Sequence, residues 1–125
     1  MRRKEFEKLV LSAIRKLPER FRRELEQGNI LIVVRKRPSL RQLQRLNINP
    51  NSGSLFGLYE GVPLTSRSSS YNMILPDRII IFKEELEDAF PDELALKEQI
   101  RRTALHEIAH FFGIDDAQLK EMGWG

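Results

Sequence analysis

His106, Glu107 and His110 are the residues whose types and spacing point most directly to chemistry, and the first and last of them are the only histidines in the chain. On a helix, positions four apart sit about 40° apart around the axis and about 6 Å along it, so the two imidazoles can converge on one ion. Glu107 is turned about 100° from His106, close enough to reach a water on that ion without ligating it. Neutral imidazole suits zinc, and a water carried by zinc loses its proton near neutral pH. Glu107 is then the general base that accepts it.

A zinc site of this kind needs a third protein ligand and an open position. Gly113, three residues after His110, can end the helix in a left-handed conformation and swing the chain back toward the metal. Asp116 would then arrive as the carboxylate ligand, with Asp115 as its immediate rival and Glu121 as a more distant one. The ordinary alternatives are a histidine pair satisfied by hydrogen bonds and an Asp116 that caps a short helix over residues 117–122. The absence of cysteine excludes disulfides, thiolate ligands and a cysteine nucleophile.

The elements that must position these groups can be read from apolar spacing. Phe6, Leu9, Val10, Ala13, Ile14 and Leu17 recur with helical period, Pro18 ends that helix or begins the next, and Phe21 and Leu25 continue the stripe to a stop at Gly28. Residues 30–34 are five consecutive apolar side chains, which predicts a strand covered on both faces. A short helix over residues 39–46 is weighed against the turn chemistry of residues 47–54, and a mobile loop across residues 35–54 is expected. Residues 55–59 read as a second strand in which Gly57 lets backbone or ligand approach closely. Residues 71–75 and 78–82 are two apolar runs split by Pro76 and Asp77, as in a hairpin.

Residues 83–90 have helical composition and Pro91 stops them. Asp92 is the expected N-cap of a long helix lined by Leu96, Ile100, Ala104, Leu105, Ile108, Ala109, Phe111 and Phe112. Measured from His106, its apolar positions fill the arc from about 80° to about 300°, leaving a narrow sector with Thr103, His106, His110 and Gly113 to face a site.

The 125 residues suit one domain, 1–125, with a modest core. The first apolar run is cut short by Arg15 and Lys16, no later run approaches a membrane span, and a cytoplasmic protein is expected. Charge is uneven: residues 1–45 hold 14 Lys and Arg against 5 Glu, and the remainder 7 basic against 13 acidic residues. Such a basic half could meet nucleic acid through Arg2, Arg3, Arg22 and Arg23, but no aromatic or glycine-rich nucleic-acid motif accompanies it, and a solvated helix face is the plainer account.

The full pattern, HExxHxxGxxD from His106 to Asp116, resembles the extended signature of zincin metallopeptidases in the variant where aspartate replaces the third histidine of the metzincins. The small size, residues 58–68 and residues 122–124 are similar to the minimal zincins, short bacterial zinc peptidases, and the resemblance covers nearly the whole chain. It implies an α+β, zincin-like fold, with a small mixed sheet packed against the active-site helix that carries HExxH, and N-terminal helices beside it. It also implies His106, His110 and Asp116 as zinc ligands, Glu107 as general base, and a peptide or protein substrate laid along an edge strand. Met122 either packs beneath the metal, as in the metzincins, or belongs to plain core. Tyr59, Arg67 and Tyr71 have the chemistry to steady an oxyanion, though each also has a structural reading.

Three functions of different classes are compatible with these residues: a zinc endopeptidase, a zinc-binding interaction module that hydrolyses nothing, and a nucleic-acid-associated protein using the basic half.

Overall fold

The computed structural model describes residues 1–49, 55–62 and 76–122. Two amphipathic helices come first, α1 (Arg3–Arg15) and α2 (Glu19–Gln27), joined at Pro18, whose fixed φ and missing N–H suit a helix start. β1 (Ile30–Arg35), α3 (Leu40–Arg45), β2 (Gly57–Glu60) and β3 (Asp77–Phe82) follow. The chain then forms α4 (Lys83–Ala89), the long α5 (Glu93–Phe111) and α6 (Asp116–Glu121).

The sheet is mixed, in the order β1-β3-β2. β3 runs parallel to β1, with Ile32 opposite Ile79 and Val34 opposite Ile81, and antiparallel to β2, with Gly57 opposite Ile81 and Tyr59 opposite Ile79. Paired residues share a face, so Gly57, Tyr59, Ile79, Ile81, Ile32 and Val34 form the side turned to the main core. There they meet Leu96, Ile100, Ala104, Leu105, Ile108 and Phe111 of α5, with Phe6, Val10 and Ala13 of α1 closing the cluster. Asp92 caps α5 by accepting a hydrogen bond from the Ala95 N–H at 3.0 Å, as its place in the sequence predicts.

Two expectations are corrected. The strand covered on both faces is β3, in which all residues but Arg78 are buried. β1 is an edge strand in which only Val34 is buried and Leu31 is 49% exposed. A branched apolar run signals a strand, and position in the sheet decides how many faces are covered. Residues 35–49 are also not one long loop. Ser39 and Gln42 make a reciprocal capping box, at 3.1 and 2.9 Å, and start α3.

Residues 71–75, the first arm of the expected hairpin, lie outside the described residues, as do residues 50–54; β3 takes its antiparallel partner from β2. Among the described residues no helix is long and apolar enough to cross a membrane.

Candidate metal centre

Thr103, His106, Glu107 and His110 lie on the side of α5 that faces β2, where they line a cleft of about 610 Å³. Leu55, Phe56, Gly57, Leu58 and Tyr59 form its opposite wall, and Leu46, at the end of α3, completes it. The close approach of the walls depends on Gly57. A Cβ there would lie 2.7 Å from Cγ2 of Thr103 and 3.0 Å from Cγ of Glu107, so a side chain would force β2 off the helix. Gly57→Ala is therefore expected to cost about 1–3 kcal/mol, read as a lower urea midpoint. An unchanged midpoint would show that the contact is not the constraint described.

The potential donor atoms of His106, Glu107 and His110 all lie within 4.8 Å of one another. The imidazoles are half-exposed at the cleft while Glu107 is 5% exposed beneath them. Their rings meet edge-on with centroids 4.4 Å apart. His110 Nδ1 is 3.0 Å from a Glu107 carboxylate oxygen. With the proton on Nδ1, it donates to that carboxylate and leaves the Nε2 lone pair for a ligand. The hydrogen bond to Glu107 holds the His110 pKa above the ordinary imidazole value; burial opposes this, and the charges of Glu107 and Asp116 add to it.

The chain after α5 turns back as the glycine predicts. Gly113 has φ +74°, its N–H bonds the His110 carbonyl at 3.0 Å, and the Ile114 N–H bonds the Ala109 carbonyl at 2.9 Å. This is a Schellman ending, which satisfies the last carbonyls of α5 and redirects the chain. Asp115 then accepts from the Gln118 N–H at 2.8 Å, and Gln118 Oε1 accepts from the Asp115 N–H at 3.0 Å. The cap of α6 is thus Asp115, and Asp116 is the first residue inside the helix. Asp116 is 81% exposed, and its Oδ1 lies 3.6 Å from His106 Nδ1, near the site but too long for a hydrogen bond. Glu121 is at the far end of α6.

Tyr59 lines the cleft, yet its hydroxyl donates to the buried Asp77 carboxylate at 2.7 Å and its ring packs edge-on against Phe111. These contacts give it a structural task in holding β2 to β3. Met122 does not lie beneath the histidines; it borders a surface groove with Arg20, Phe21, Glu24, Phe112 and Ile114. Arg67 and Tyr71 fall outside the described residues. Arg102 is a cleft residue that reading for apolar periodicity passed over, although it stands one turn before His106.

Two imidazoles beside carboxylates, on a half-exposed cleft wall and with no thiolate, are a donor set that fits zinc. Fold and site together define an α+β protein whose buried helix presents a potential metal-binding group to a cleft under a sheet edge. A family model described as zincin-like metallopeptidase matches residues 27–124, and the chain belongs to that family. A comparison with curated proteins finds no match.

Proposed function

We propose that the protein is a zinc-dependent peptidase in which His106, His110 and Asp116 hold the metal and Glu107 is the general base. The carrying observation is the convergence of both imidazoles and the Glu107 carboxylate on one point of a cleft walled by an edge strand. When bound, zinc supplies a Lewis acid that polarises a carbonyl and makes a water acidic near neutral pH. Glu107, beneath the imidazoles and shielded from bulk solvent, accepts the proton of the attacking water and returns it to the leaving amine. β2 forms the edge of the described sheet beside the site, and a peptide laid along it as an added strand would pass its backbone over His106 and Glu107. Gly57 keeps that strand close enough for the carbonyl to reach them.

The test is digestion of unfolded casein and a broad peptide library by zinc-loaded protein. Cleavage that stops on chelation and returns with zinc is expected; a protein that carries zinc and cuts nothing overturns the peptidase reading.

Metal binding also has an expected pH signature. In the metal-free protein the His110 pairing with Glu107 stabilises the fold below the unfolded-state imidazole pKa, and that contribution is lost as pH rises through the raised folded-state pKa. Zinc works in the opposite direction, because imidazole must give up its proton to bind. The rise in Tm on adding zinc is therefore expected to grow between about pH 6 and about pH 8. A flat or falling zinc-induced shift over that range would contradict it.

A further inference from the structure

We propose that Arg102 is a specificity-determining residue that selects peptides carrying an acidic side chain about two residues from the reacting bond. The proposal rests on the reading of the cleft as a peptide site.

Among the described residues that line the cleft, Arg102 is the one charged side chain besides His106, Glu107 and His110. Across the cleft, residues 55–58 offer backbone and apolar side chains, and among the described lining residues no carboxylate other than Glu107 is there to pair with it. Arg102 precedes His106 by one helical turn, about 6 Å along α5, and Arg102, His106 and His110 make a single stripe along the cleft floor. An extended peptide advances about 3.3 Å per residue, which places the guanidinium beside the second residue from the metal centre.

The local ion pairs leave this guanidinium available. Glu98 is held by Arg101 through both of its oxygens, and Arg102 reaches it only through Nε at 3.1 Å. One carboxylate thus sits between two guanidinium groups, whose hydrogen bonds bring the Glu98 pKa down to about 2. A single positive charge is left over. The terminal amino groups of Arg102 have no protein partner among the described residues, and the side chain is 54% exposed. A free fork of N–H donors over an apolar wall suits a carboxylate, which it can bind through two parallel hydrogen bonds.

The test measures binding, so it does not depend on turnover. Fluorescent extended peptides with aspartate, alanine or lysine two positions to either side of the centre are titrated by anisotropy into Glu107→Gln protein with zinc added. The aspartate peptide is expected to bind about three- to tenfold more tightly than the alanine peptide on one side, with lysine weakest. Adding Arg102→Glu should reverse the order, and adding Arg102→Gln, which leaves no like charge beside Glu98, should abolish it. Absence of binding, binding blind to charge, or a preference that survives both Arg102 changes overturns the proposal. Cleavage of the same peptides by wild-type protein is scored separately. Cleavage without charge preference removes the Arg102 assignment alone, and binding through Arg102 without cleavage removes the peptidase reading alone.

Discussion

Replacing Glu107 with Gln is expected to lower kcat for peptide hydrolysis by about 10²- to 10⁴-fold while leaving zinc content and KM little changed. The substitution is chosen for what it preserves. Glu107 is buried, and its Cγ lies where Gly57 allows the β2 backbone to approach, so a smaller side chain would open a void between helix and strand. Gln keeps the volume, and its amide oxygen can still accept from His110 Nδ1, so the imidazole orientation is retained. What it loses is the ability to take up a proton at neutral pH. Metal analysis with steady-state kinetics separates the outcomes. Zinc near one equivalent with hydrolysis within tenfold of wild type would remove Glu107 from the proton-transfer role.

The parts of the structure written in local chemistry were legible in the sequence. Asp92 before a periodic helix, Gly113 after its last apolar residues, and the empty sector around His106 and His110 each rest on interactions between near neighbours in the chain. Those interactions take the geometry that backbone hydrogen bonding dictates. Gly57 was legible for a related reason: a glycine inside a strand marks a close approach, and here the partner is Thr103 and Glu107.

What the sequence did not reveal depends on distant partners or on competition between local signals. The apolar run of β1 has the composition of a covered strand, yet β3, 47 residues later at Ile79 opposite Ile32, takes the central place. Tyr59 has the hydroxyl of an oxyanion donor, and only the folded sheet brings Asp77 to it, 18 residues on. The capping boxes of α3 and α6 were present as Ser39 with Gln42 and Asp115 with Gln118, the spacing that marks a helix start. The first was outweighed by the turn residues that follow it; the second, once recognised, separates Asp115 from Asp116.

That separation gives the second large expected effect. Asp116→Ala is expected to weaken zinc binding by about a hundredfold or more, while the metal-free protein stays within about 0.5 kcal/mol of wild type, because the side chain is exposed and caps nothing. Asp115→Ala is expected to do the reverse. Losing the bond that the Asp115 carboxylate accepts from the Gln118 N–H should cost about 1 kcal/mol of stability, although alanine keeps the backbone N–H that donates to Gln118 Oε1, with zinc affinity changed only a few-fold through the position of its neighbour. Competition with a chromogenic chelator and urea unfolding of the metal-free protein measure the two quantities independently. If Asp115→Ala loses the metal and Asp116→Ala keeps it, the turn after Gly113 delivers the other carboxylate. The 3.6 Å between Asp116 and His106 is then proximity without coordination. If neither change weakens zinc, the carboxylate comes from elsewhere, and Glu121, at the far end of α6 from the turn, is the next candidate.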